Sequence, residues 1–242
     1  MYIKFKEILL IILIIALIMT LVVLFILISY VLKLIKLSTK LKAKQLTKFN
    51  EFANTGEIVF LGDSLTEFYP LEEFFHGLPI YNRGIASDTT EGVISRLVDN
   101  VILIHPKAIF LQIGTNDYSN KKSNYEIFND IKKIILKSQE NKIKVYVISL
   151  YPINAKAKIY SPFFTRPRKN KKIKELNNHL QEYCTLNNIE FINVYDNLTD
   201  NNGNLDKNYT VEGLHLNFEG YKVVTKILLP YITKETKSWN YL

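Results

Sequence analysis

The sequence is short of the residues that staple small folds and hold prosthetic groups. It has one cysteine, Cys184, in 242 residues, so no disulfide can form within the chain, and its helical context marks it as a small buried apolar residue. The four histidines, His76, His105, His179 and His215, are scattered, and neither a Cys-x-x-Cys nor a His-Glu-x-x-His spacing occurs. That argues against a metal site. No Gly-Lys-Ser/Thr phosphate loop is present, and no Gly-x-Gly-x-x-Gly follows the first apolar strand, so a nucleotide would find no cradle. No metal and no cofactor are expected.

Acidic residues are almost missing from the first 48 positions, where Glu7 stands alone against eight lysines. The formal net charge of +8 therefore sits largely in this segment, because the remaining chain holds 23 basic and 22 acidic residues. A folded domain so close to neutrality does not suit a polyanion, and no nucleic-acid partner is expected. The segment contains instead the run "ILLIILIIALIMTLVVLFILISYVL", residues 8–32, twenty-five positions without a charge. At about 1.5 Å per residue a helix of that length reaches roughly 37 Å, enough to cross a hydrocarbon core of about 30 Å with some tilt. A cleaved signal peptide has a shorter apolar region, about 7–15 residues, ending at a small-residue site. Residues 1–33 are accordingly expected to be a single transmembrane anchor.

Residues 34–54 are expected to form a basic juxtamembrane helix or linker. Lys36, Lys40, Lys44 and Lys48 recur every four residues and share one helical face, while Leu34, Leu37 and Leu41 lie on another. Such a helix can lie against anionic lipid or stand as a solvated linker, and the pattern fits both. The lysine excess after the span favours a cytoplasmic C-terminal domain. A seven-residue tail with Lys4, Lys6 and an α-amino group would then have to be translocated, which opposes it, so both orientations stay open.

Beyond about residue 46, apolar runs of strand length alternate with segments of helical period. Strands are expected at 58–61, 80–81, 108–113, 145–150 and 191–194, and helices at 91–102, 124–138, 171–187 and about 218–232. The strands are apolar on both sides, as they must be when helices cover both faces of a parallel sheet. The predicted class is α/β, with a central five-stranded parallel sheet whose functional edge is formed by the carboxyl ends of its strands.

Four polar clusters leave that edge. Gly62-Asp63-Ser64 follows the first strand and "YNRGIASDTT" contains Gly84 just after the second. "IGTNDY" places Asn116 after the third, and "VEGLHLNFEGY" sets Glu212 three residues before His215, ahead of the last helix. Each alone is weak, since Gly-Asp-Ser and Gly-x-Asn-Asp are ordinary turn chemistry. Together they supply the parts for acyl transfer. A serine hydroxyl needs a neighbouring base, and an imidazole titrates near neutral pH and can return the proton to the leaving group. The other ring N–H of that base needs an acceptor, for which Glu212 is close in sequence. The backbone N–H groups of Ser64 and Gly84 and the side-chain amide of Asn116 could stabilise the oxyanion, each such donor being worth about 2.7–4 kcal/mol. Asp63 and Asp117 fit structural roles, bonding nearby backbone in these turns.

In order, "GDSL", "RG", "GTND" and "GLH" resemble the four sequence blocks of the SGNH hydrolases, also called the GDSL esterase/lipase family, across residues of about 55–232. The resemblance implies a flavodoxin-like three-layer α/β/α sandwich over residues 55–242 and metal-free ester hydrolysis. Ser64 would be the nucleophile, His215 the base, and Ser64, Gly84 and Asn116 the oxyanion hole. The expected substrate is a small acyl or lipid ester, with a lysophospholipase-like activity suited to a tethered enzyme. A carbohydrate O-acetylesterase and a catalytically weak, membrane-tethered binding module are the alternatives. The chain departs from the family at Glu212, where aspartate is usual. Glu212 is the expected partner of His215, with Asp206, or a Ser-His dyad supported by backbone carbonyls, as the other possibilities.

Two further segments bear on the site. "RPRKNKKIKELN", 166–177, concentrates positive charge and can be either an anion contact or a solvated loop and helix face. Phe163 and Phe164, in "SPFFT", can line an acyl pocket, dip into a bilayer surface or pack in the core.

Overall fold

The structure, a computed structural model, describes residues 2–159 and 161–236, so 237–242 of the expected hydrolase domain lie outside the described residues. Two compact units divide the chain, Met1–Lys42 and Ala43–Leu242. The first is carried by helix α1 (Tyr2–Lys48), whose apolar side chains are exposed along the run 8–32. By length and composition it is able to cross a membrane, its most apolar 18-residue stretch having a mean hydropathy of 3.6.

The second unit begins upstream of residue 55, because the last turn of α1 packs into it. Leu46 is buried there, and Asn100 Nδ2 donates to Ala43 O at 3.0 Å and to Thr47 Oγ1 at 2.8 Å. Arg83 Nη2 then donates to Asn50 Oδ1 at 3.1 Å, which ties down the following turn. The elements continue as β1 (Ile58–Gly62), α2 (Ser64–Glu67), α3 (Leu71–Phe74), β2 (Ile80–Gly84), α4 (Thr90–Asn100), β3 (Ala108–Gln112) and α5 (Asn124–Glu140). After these come β4 (Lys144–Ile148), α6 (Pro162–Thr165), α7 (Asn170–Leu186), β5 (Glu190–Ile192) and α8 (Phe218–Thr236). All five strands are parallel, in the order β2-β1-β3-β4-β5 of flavodoxin-like sheets.

Strand alternation divides the core in two. Val59, Leu61, Ile109, Leu111, Val145 and Val147 join the apolar residues of α4, α5 and α7 on one face. On the other, Ile58, Phe60, Phe110, Tyr146 and Ile148 pack with Val224, Leu228 and Ile232 of α8. Residues in register carry a row of stacked rings: Phe60 and Phe110 lie 5.0 Å apart between centroids, Phe110 and Tyr146 4.5 Å. Each such buried side chain contributes about 1.5–3 kcal/mol, so this double core fixes the strand ends that bear the site. Strand β2 runs three residues past the expected 81. Its polar residues are absorbed there: Asn82 Nδ2 donates to Thr66 O at 2.8 Å and Arg83 Nε to Asn100 O at 3.1 Å.

Candidate active site

Ser64 opens α2 immediately beyond β1, and its position follows from its two neighbours. A Cβ on Gly62 would lie 2.2 Å from Gln112 O, so only glycine lets β1 end this close to β3. Asp63 caps α2, its Oδ1 accepting the Leu65 N–H at 2.9 Å. Ser64 Oγ then lies 2.9 Å from His215 Nε2, across 151 residues of sequence.

The other ring nitrogen of His215 meets Glu212, with Nδ1 and Oε1 2.5 Å apart. The same Oε1 accepts the His215 backbone N–H at 2.8 Å, and Oε2 accepts that of Leu214 at 2.6 Å. Burial pushes the Glu212 carboxyl up, but the bonds from the imidazole and from these two amides outweigh it and hold the group below its ordinary value. The loop is rigid for identifiable reasons. Gly213 has φ +95°, and a Cβ there would lie 2.0 Å from Asn154 O. Thr210 Oγ1 accepts the Gly213 N–H at 3.0 Å and donates to His215 O at 2.7 Å. The extra methylene of glutamate is taken up by folding the carboxylate back over its own turn. Asp206 is not the partner: its Oδ1 accepts the Asn208 N–H at 2.8 Å.

Asn116 follows β3, the neighbour of β1. Its Nδ2 donates to Asp88 O at 2.9 Å, and its Oδ1 accepts from Arg168 Nη2 at 2.9 Å. Gly84 departs from expectation as an oxyanion donor. Its N–H is taken by Asn82 Oδ1 at 2.9 Å, and its lack of a side chain serves packing, since a Cβ would sit 2.2 Å from Glu67 N. Along 84–90 the amides of Ile85, Ala86, Asp88, Thr89 and Thr90 are likewise bonded, to Gly62, Glu67, Ile85, Asp88 and Asp117. Ser87 is the exception among the described residues: exposed, at φ 65°, with an N–H that meets no acceptor. The signal for it was a non-glycine residue at a turn that demands a left-handed conformation, which residue types alone do not reveal.

Asp117 is structural, as expected. It accepts the Thr90 hydroxyl at 2.6 Å and the Thr90 N–H at 3.1 Å, joining the start of α4 to the Asn116 turn. Two aromatic rings flank the histidine: Phe68 with its centroid at 5.4 Å and Phe164 edge-on at 5.1 Å. Phe163 is exposed. The basic stretch 166–177 divides by residue, for Lys171, Lys172 and Lys174 are solvated on α7 whereas Arg168 is 3% exposed. Together these groups offer a hydroxyl, a base with an oriented tautomer and N–H donors at one edge of the sheet, between apolar walls.

The model of the GDSL-like lipase/acylhydrolase family matches residues 60–223. A Streptococcus pneumonia protein, described as a platelet activating factor, superposes with a TM-score of 0.78 at 29% identity, covering 85% of this chain and 97% of its own. The platelet-activating factor acetylhydrolase IB subunit alpha2 of Gallus gallus is 29% identical over 181 residues, 71% of this chain and 74% of that protein. An N-acylneuraminate cytidylyltransferase of Escherichia coli is 28% identical over 182 residues, 73% of this chain, which spans only 40% of that protein's length. With the family model covering most of the folded unit, the chain belongs to the GDSL-like lipase/acylhydrolase family, the SGNH hydrolases.

Proposed function

We propose that the protein is a membrane-anchored serine hydrolase of small acyl or lipid esters. The observation that carries this is the unbroken hydrogen-bond chain from Ser64 Oγ through His215 to Glu212, at 2.9 and 2.5 Å. Ser64 Oγ attacks the ester carbonyl carbon while its proton passes to His215 Nε2; the C–O bond to the alcohol breaks as that proton is returned to the departing oxygen. Water, activated by the same nitrogen, then releases the acid from Ser64. Glu212 stays ionised at neutral pH, holds the Nδ1–H tautomer and stabilises the imidazolium. The backbone N–H groups of Ser64 and Ser87, with Asn116 Nδ2, are the oxyanion donors in this scheme.

Residues 1–33 are the anchor in the same proposal, and the basic segment 34–54 leads into the hydrolase unit, which takes in its residues from Ala43 onward. Phe68 and Phe164 beside His215 favour an acyl group over a charged one. Similarity to a protein named as a platelet-activating factor acetylhydrolase supports a short acyl group, such as acetyl. The match to part of an enzyme named for an acylated sugar, N-acylneuraminate, supports a second substrate class, carbohydrate acyl esters. Hydrolysis of p-nitrophenyl acetate, an acetylated sugar and a lysophospholipid by the full chain separates the classes. Ser64→Ala and His215→Ala should each lower turnover by about 10³-fold or more. Wild-type rates in either variant would remove that residue from the mechanism.

A further inference from the structure

Arg168 is a buried cation at this edge of the sheet that the catalytic scheme leaves unused, and it differs from its buried neighbour Arg96, which pairs with Asp88 at 2.7 Å. All of its nitrogens are bonded, and every acceptor is neutral. Nε donates to Thr115 O at 3.0 Å and to Thr115 Oγ1 at 3.1 Å, Nη1 to Phe164 O, and Nη2 to Asn116 Oδ1 at 2.9 Å. Among the described residues no carboxylate lies within ion-pair distance of it. A buried cation without a contacting counter-ion is costly, so its retention calls for a task that a neutral side chain could not perform.

The bonds identify the task. An amide side chain can turn over and exchange its oxygen and nitrogen with little change of shape. Asn116 cannot, because its oxygen faces a guanidinium, which only donates, and its nitrogen faces the Asp88 carbonyl, which only accepts. Turning over would set donor against donor and acceptor against acceptor. The second proton on Nδ2 is left for the oxyanion, and the guanidinium on the oxygen side polarises the amide, making that N–H a stronger donor. The same group grips Phe164 O, so the oxyanion loop and the apolar wall beside His215 share one anchor.

We propose that Arg168 is a positioning residue for catalysis, acting through Asn116 to fix and polarise the oxyanion-stabilising amide. This rests on the serine-hydrolase mechanism proposed above. The test is a double-mutant cycle on the full chain with p-nitrophenyl acetate, using Arg168→Gln, Arg168→Lys and Asn116→Ala singly and in combination, with thermal melts of each. Arg168→Gln should lower kcat by about 10–100-fold with KM changed less than about threefold. Lysine, a point charge without the planar fork, should recover only part of that loss. In the Asn116→Ala background the Arg168→Gln change should cost less than about threefold, because the group it acts through is gone. Equal losses in both backgrounds, or an unchanged kcat, would overturn the assignment. Should Arg168→Gln fail to melt cooperatively, Arg168→Lys is read through the same cycle. Turnover that survives Ser64→Ala would instead overturn the underlying mechanism, and the two failures are thereby told apart.

Discussion

Glu212 Oε1 touches the same histidine twice, lying 2.5 Å from His215 Nδ1 and 2.8 Å from its backbone nitrogen. One oxygen thus sets both the ring and the main chain that carries it. The carboxylate is longer than the usual aspartate, yet it spans only three residues because it closes a turn and its other oxygen is held by Leu214 N–H. Glu212→Gln keeps the size but places a neutral amide against the imidazole, and should lower kcat by about 10²-fold or more through loss of tautomer control and imidazolium stabilisation. Glu212→Asp can still accept from the amides two and three residues on, and should keep activity within about tenfold. A silent Glu212→Gln in steady-state hydrolysis would show that the histidine is oriented by another group.

Gly84 is required for packing. A methyl group there would press against Glu67 N and Cα and the Thr66 carbonyl carbon, all backbone and unable to yield cheaply. Gly84→Ala should lower unfolding free energy by about 1–3 kcal/mol or more in urea titrations, with the midpoint falling accordingly. Ser87→Gly should act in the opposite direction, raising stability by about 0.5–1 kcal/mol by removing the left-handed strain of a side-chain-bearing residue. A Gly84→Ala variant as stable as the parent would show that β2 and α2 are not packed this tightly.

Asp63 gives the fold a pH dependence. Burial pushes its carboxyl up from about 3.8 to about 7, against the opposing Leu65 N–H and the Arg168 charge, and its Oδ2 is buried without a hydrogen-bond partner. Between those two values the native state keeps a proton that the unfolded chain has released, so this group makes stability fall as pH rises through that window. In Asp63→Asn the ionisable group is gone, and the difference in Tm between pH 5 and pH 8 should shrink. An unchanged difference in calorimetric melts would show that Asp63 is ionised throughout.

Much of this was legible from residue order, for reasons that differ by element. The strands were visible because β1, β3 and β4 are apolar on both faces. Ser64, His215 and Glu212 were visible because their chemistry is rare in combination and their loops leave one edge. What residue types could not convey was which backbone amide is free. Gly84 looked like a donor, and only the Asn82 side chain, folded back on its own turn, shows that it is occupied. Arg168 was hidden by its neighbours: in a run of basic residues, one inward-facing arginine has the same local composition as its solvated companions. The limit of β2 was obscured likewise, since Asn82 and Arg83 are polar residues that find buried partners far along the chain.

The most direct test is chemical. A fluorophosphonate reacts with a serine only where a base and oxyanion donors have activated it, and the modified residue can be read by peptide mass spectrometry. Treatment of the full chain should add one phosphonyl group, on Ser64, with labelling abolished in Ser64→Ala and strongly slowed in His215→Ala. An unlabelled wild-type chain, or a label on any other residue, would contradict the assignment of Ser64 and His215 as nucleophile and base.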